Sequence, residues 1–255
     1  YHEGGMYGYA VPPERVVSDE ARNVTDMLAR IVALSDQPLA VARPLPERLV
    51  GCCRDYSLLL AAMLRHHGIP ARVRFGFSRY FASDFGHDHV VTEYWNRQHE
   101  RWMLIDAQQD ELHIQTNRLA FDPHDIPHDQ FPFAGVVWQQ ARTGALDPER
   151  YGYDRSLRGW WVIQQYLVHD LAALNKMELL IGDSWGLCGI APGETADAQQ
   201  TAVLDEAAGL TLAADTAFER MRAFYEHTPG LRVPPSINSY SLGDQWREHI
   251  AIADD

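Results

Sequence analysis

The order of elements along the chain predicts an α+β fold: helices, then antiparallel strands, then helices again. Three observations carry this. Val24, Met27, Leu28, Ile31 and Val32 recur at helical spacing, and Tyr56 to Leu64 is apolar almost all round. After Pro70 the period changes to two, with Val73, Phe75 and Phe77 alternating with Arg72 and Arg74. Beyond the proline- and histidine-rich run FDPHDIPHDQFPF, a stripe of Leu157, Trp160, Trp161, Leu167, Val168, Leu171 and Leu174 restores the helical period.

Taken in order, the first seventeen residues, rich in Gly, Pro and Tyr, read as irregular. Ser18 is placed to cap a first helix, with Asp19 and Glu20 in its first turn, where negative charge suits the dipole. Three prolines within 38–50 mark a connector. A second helix is expected from Cys53 to His67, buried on several sides and closed by Gly68 and Pro70. Strands follow at 71–80, 88–95 and 101–106, and 110–132 reads as loop. The C-terminal helices are expected at 156–181, 196–208 and 212–226, before an irregular tail. A boundary near 145–155 divides a core, 1–150, from a mainly helical extension, 151–255, within one domain or as two.

The 255 residues carry 35 acidic and 22 basic side chains, a formal charge of −13. That balance argues against a nucleic-acid partner, which demands a basic face. No apolar run approaches the eighteen residues of a membrane span, so no membrane partner is expected. Three cysteines, two of them adjacent, make no disulfide framework and point to a reducing, cytoplasmic setting.

Cys53 stands where the second helix begins. Helix N-termini favour thiolate over thiol, and Arg54 adds positive charge. Between Tyr56 and Ser83 lie Arg65, Arg72, Arg74 and Arg79 and no carboxylate, a field expected to favour an anionic nucleophile or substrate group. If strands 88–95 and 101–106 form a hairpin with loop 96–99, Trp95 pairs with Glu100 and His89 lies directly opposite Asp106. A carboxylate so placed orients an imidazole, as a Cys–His nucleophile requires. Each piece alone has a plainer reading: a cysteine at a helix start is often a small buried hydrophobe, and a His–Asp contact is often structural.

The stretch RLVGCCRDYSLLLAAMLRHHGIPARVRFGF, followed by DHVVTEYW and RWMLIDAQ, resembles the transglutaminase-like superfamily. The likeness covers about residues 48–110. It implies a papain- or transglutaminase-like core, in which a nucleophile-bearing helix packs on an antiparallel sheet, here with additional C-terminal helices as in bacterial relatives. Gly51 and Asp55 fix the register of G-x-C-x-D, so the resemblance places the nucleophile on Cys53, the histidine on His89 and the acid on Asp106. The implied chemistry is acyl transfer or amide hydrolysis through a thioester, without cofactor, on a small-molecule or peptide amide or ester. The upstream Trp of some members has no counterpart before Trp95.

Two alternatives stand beside it. One is a non-catalytic binding module on the same fold. The other is a metal site built from His87 and His89 with His113, His124 or His128, a weak H-x-H signal; no metal is expected. Arg72, Arg74 and Trp160 are candidate substrate contacts, against the plainer roles of a solvated ion-paired face and helix packing.

Overall fold

The computed structural model describes residues 4–18, 20–189, 194–240 and 246–252. The N-terminal segment is more regular than its composition suggests. A 3-10 turn at Gly4–Tyr7 is followed by a short helix α1 (Pro13–Ser18), started by a proline whose missing N–H costs nothing at a first helical position. Ser18 therefore ends a helix instead of capping one, and Asp19 lies outside the described residues. The cap of α2 (Val24–Leu34) is Asn23, whose Oδ1 accepts the Asp26 N–H at 2.8 Å.

Helix α3 (Cys53–His66) matches its expected span. It stops in a Schellman arrangement, with Gly68 N–H on Arg65 O, Ile69 N–H on Leu64 O, and Gly68 at φ +71°. Its apolar girth is not all buried: Leu58 and Ala61 face the core, whereas Tyr56 and Met63 are exposed.

The main sheet runs β1 (Ala71–Ser78), β2 (Gly86–Asn96), β3 (Arg101–Ile105), antiparallel throughout. Helix α4 (Glu111–Asn117) lies within the stretch expected as loop, capped by Asp110. Helix α5 (Ala134–Arg142) follows, then β4 (Tyr151–Gly152), which pairs parallel with Gly86 and His87 on the β3 side of β2. Helix α6 is shorter than the expected 156–181: it spans Trp160–Leu174, starting after Gly159 at φ +97°. Next come β5 (Asp183–Ser184), α7 (Ala198–Leu212) and α8 (Phe218–His227). The tail is not irregular: β6 (Ser236–Tyr240) and β7 (Trp246–Ala251) join β5 in a second small sheet.

One buried cluster joins β1, through Val73, Phe75 and Phe77, to α3, through Leu58 and Ala61, and to α6, through Ile163, Tyr166 and Leu167. A smaller cluster of Val91, Leu104, Ile126, Phe131 and Phe133 covers the other face of the sheet. The outer edge of β1 is closed by Pro132 O, which accepts Phe77 N–H, and by Asp170 Oδ1 of α6, which accepts Phe75 N–H. None of the described helices is long and apolar enough to cross a membrane.

Candidate active site

The start of α3 explains the G-x-C-x-D pattern. Asp55 Oδ2 accepts the Cys52 N–H at 2.9 Å, satisfying one orphan donor of the first turn. A Cβ on Gly51 would stand 3.0 Å from that same carboxylate oxygen, so glycine leaves it room. Cys53 is thereby fixed as the first helical residue.

Its docking place is a gap in the edge of β2. Strand β3 ends at Ile105, paired with Thr92, and β4 begins only at Gly86 and His87. The edge between them is taken by the first turns of α3. Ser57 Oγ donates to Val90 O at 2.9 Å, Thr92 Oγ1 donates to Ser57 O, and the Cys53 thiol faces the Val90 backbone. Asp88 and His89 immediately precede Val90 and, as consecutive strand residues, point to opposite faces of the sheet.

His89 Nε2 and Asp106 Oδ2 are 2.7 Å apart, with the two residues only 2% and 3% exposed. The register that brings them together differs from the one expected. The loop is Arg97–Glu100, closed by Asn96 Oδ1, which accepts the Gln98 and His99 N–H groups. Asn96 therefore pairs with Arg101, and in this register Asp106 falls opposite Val91 instead of His89. The shift of two residues preserves the face, so the histidine reaches its acid diagonally.

Asp106 has two further donors. Tyr80 Oη donates to Oδ2 at 2.7 Å and the Gln108 N–H to Oδ1 at 3.0 Å. Burial alone would raise its carboxyl; the His89 charge and these hydrogen bonds outweigh it and hold Asp106 below the usual carboxylate range. With the carboxylate ionised, Nε2 carries the proton donated to it and Nδ1 is left as the basic nitrogen. Tyr80, Phe81 and Phe131 pack around the His89 ring. Phe131 fits because residue 76, paired with His89, is glycine: a Cβ there would lie 2.6 Å from Pro132 O and 2.9 Å from the Phe131 ring.

Cys53 departs from expectation. Its thiol is pushed well above the ordinary cysteine value by a hydrogen bond with Cys52, by burial, and by the charges of Cys52 and Asp88. The helix N-terminus does not prevail, and Arg54 gives no help. Arg54 is buried and turned away, donating to Ala21 O, Arg22 O, Glu178 O and Asp55 Oδ1. No hydrogen bond joins the thiol to His89. All three cysteines are free.

Asp88, given no role by the sequence, is the second unexpected feature. It accepts a hydrogen bond from the Tyr166 hydroxyl, and burial pushes its carboxyl up to about 6.

Three arginines of the island, Arg65, Arg72 and Arg74, pair with distant carboxylates, and Arg79 donates to the Tyr151 hydroxyl. Arg74, 2% exposed, takes Asp170 in a two-pronged pair at 3.0 and 2.9 Å and Glu93 at 2.9 Å, and lies 3.6 Å over the Phe133 ring. This is a buried network, not a solvated face. Arg72 pairs with Glu93 and Asp215 and stacks 4.1 Å over Trp102. Trp160 packs edge-on to Trp138 and, with Trp161, Arg155 and Arg158, lines a surface cavity of about 440 Å³ that Cys53 does not line. His113 is bound to Asp110 and His124 to Asp122, and among the described residues no three His, Cys, Asp or Glu side chains gather as metal ligands.

Residues 14–107 match the family model of the transglutaminase-like superfamily. That segment resembles a transglutaminase-like domain. It begins one residue into α1, holds α2, α3 and β1 to β3, and ends one residue past Asp106. No curated protein and no solved structure matches the chain. The transglutaminase-like assignment thus rests on the segment that contains Cys53, His89 and Asp106, and leaves α4 to α8 without a counterpart.

Proposed function

We propose that the transglutaminase-like domain is a cysteine-nucleophile enzyme of acyl transfer or amide hydrolysis, with Cys53, His89 and Asp106 as its triad. The observation that carries this reading is the buried His89–Asp106 hydrogen bond beside a cysteine at a helix start. Asp106 holds the imidazole through Nε2, leaving Nδ1 to exchange the proton. Because the thiol is raised, the reaction begins from Cys–SH: Sγ attacks the carbonyl carbon of an amide or ester as its proton passes to His89. His89 returns that proton to the departing amine or alcohol, leaving a thioester on Cys53. Water or a second amine, deprotonated by His89, attacks the thioester and releases Sγ, which recovers the proton. The Cys53 N–H, unused by the helix at this position, is the natural donor to the oxyanion. The substrate class is a small-molecule or peptide amide or ester.

One observation favours a second reading, a non-catalytic binding module: burial, Cys52 and Asp88 disfavour the thiolate, and the thiol makes no hydrogen bond to His89. Mass spectrometry separates the two. Wild type and Cys53→Ala are incubated with a pool of peptide and metabolite amides and esters, and the intact protein is screened for adducts released by hydroxylamine. The proposal expects an acyl adduct on Cys53 in the wild type, absent in Cys53→Ala and strongly reduced in His89→Ala. No adduct from any pool moves the assignment to the binding module.

A further inference from the structure

Of the 22 Lys and Arg residues in the chain, Lys176 is the one lysine. It sits at an unusual backbone position. Helix α6 ends in a Schellman motif, with Met177 N–H on Ala172 O and Lys176 N–H on Ala173 O. Lys176 is its left-handed residue, at φ +70°, where glycine is the usual choice.

The side chain lines a cavity of about 270 Å³ between the end of α3, the starts of β1 and β3, and helices α6 and α8. The remaining lining divides in two. Arg65 and Arg72 supply charge; Trp102, Leu174, Phe218 and Met221 are among the residues that supply apolar surface. No acidic side chain lines the cavity, although acids outnumber bases in this chain. The arginines are only partly used by protein partners. Arg65 donates through Nε to Ala71 O and through one terminal nitrogen, Nη2, to Glu178; Arg72 donates through Nε to Glu93 and through Nη1 to Asp215. Arg65 Nη1 and Arg72 Nη2 are left without a partner, and Lys176 Nζ makes no hydrogen bond or ion pair. The residue is exposed at the cavity mouth, yet packing around the ammonium and the repulsion of Arg65 and Arg72 lower its pKa, against the pull of Glu178.

We propose that this cavity is a binding site for a small organic anion, one carboxylate or phosphate group on a compact apolar body. The anion takes Lys176 with Arg65 and Arg72, and the body packs on Trp102, Phe218 and Met221. Glu178, Glu93 and Asp215 pair the two arginines from outside the lining, so Lys176 is the cation whose charge a ligand anion completes, with the spare arginine N–H groups as further donors. The site is remote from the proposed nucleophile. Cys53 and Arg65 are twelve residues apart on α3, about 18 Å along its axis. It joins the transglutaminase-like segment to the C-terminal helices, and it stands whether or not Cys53 is catalytic.

A single lysine makes the test direct, because protein labelled with ¹³C-lysine gives one side-chain signal with no assignment needed. The probes are 2-naphthoate, for a carboxylate on an apolar body, and inorganic phosphate, for the charge alone. The expected result is a saturable shift of the Lys176 Cε signal with 2-naphthoate, a rise in the lysine pKa on binding, and much weaker binding of phosphate. Calorimetry on Lys176→Met, and on Lys176→Gly as the variant whose backbone fits the left-handed position, should show about tenfold or more weaker binding of 2-naphthoate. Cys53→Ala should bind as the wild type does. No saturable response to either probe, or affinity unchanged in both Lys176 variants, overturns the site. Phosphate binding as tightly as 2-naphthoate overturns the apolar half of the ligand.

Discussion

Replacing Asp88 by asparagine should stabilise the protein at neutral pH and leave it unchanged in acid. The carboxyl lies on the α6 face of β2, with Tyr166 donating to it, His89 and Cys53 beside it, and Asp154 adding negative charge. Burial is the dominant cause of its rise from 3.8 to about 6. Between those values the folded chain binds more protons than the unfolded one, so stability falls as pH rises through the window. A shift of this size corresponds to about 3 kcal/mol of stability present below about pH 4 and lost above about pH 6. His169 has the opposite sign. Burial pulls it from 6.5 down to about 4 despite Asp183, so the folded chain binds fewer protons there and stability gains as pH rises. The two oppose each other across this range, and His87 and the lowered carboxyls of Glu93 and Asp106 add to the His169 side. Asp88→Asn removes only the Asp88 side. Its advantage in urea unfolding should grow by about 3 kcal/mol between about pH 3.5 and pH 7.5, and any packing cost of the asparagine is common to both conditions and drops out. Parallel profiles for mutant and wild type would refute the reasoning, because they would mean that Asp88 titrates as a solvated carboxylate.

Three further outcomes follow from the same electrostatics and packing. Alkylation of Cys53 by iodoacetamide, followed by peptide mass spectrometry, should keep accelerating through the alkaline range, since burial, Cys52 and Asp88 all oppose the thiolate; a rate already level at neutral pH would show a preformed thiolate instead. In the same assay Asp88→Asn should speed the reaction at fixed pH. Arg74→Met should cost about 3–5 kcal/mol in urea unfolding, because Asp170 and Glu93 would keep their buried charges without the guanidinium; a loss under about 1 kcal/mol would mean that water or Arg72 replaces it. Tyr80→Phe should cost about 1.5–3 kcal/mol through the lost hydrogen bond to the ionised Asp106, and an unchanged urea midpoint would count against that bond.

Much of the sheet and the neighbourhood of the site could be read from the sequence, because both depend on local signals. The span of α3 follows from Asp55, Gly68 and Pro70, each acting within a turn of its position. The pairing of His89 with Asp106 survived a register error because the error was two residues, and a face is conserved under any even shift. What escaped was set by contacts distant in sequence. Arg74 looked like one residue of a solvated row, but its partner Asp170 is 96 positions away on a helix that nothing in the β1 sequence announces. Tyr80 reaches Asp106 across 26 residues, and Tyr166 reaches Asp88 across 78. The tail strands β6 and β7 were missed for a similar reason. Strand β6 pairs with the distant, two-residue β5 as well as with its neighbour β7, and its polar run SINSY shows little alternation.

Burial acts in opposite directions on the two halves of the proposed triad. The packing that shields His89, with Tyr80, Phe81 and Phe131 around the ring, also keeps water from competing for Asp106, which makes the orienting bond stronger. The same exclusion penalises a thiolate at Cys53, and Asp88 adds a like charge whenever it is ionised. A helix N-terminus offers only partial charge and weakens within a turn, so it cannot outweigh full desolvation and a neighbouring carboxylate. On the proposed reading, Cys53 therefore rests as the thiol, and proton transfer accompanies attack instead of preceding it. Asp88 then tunes the nucleophile without touching the substrate: its neutral form, favoured below about pH 6, removes one obstacle to the thiolate just where falling pH adds another. The two dependences oppose each other. Asp88→Asn should leave only the ordinary acid-side loss, with the Cys53 profile displaced toward lower pH.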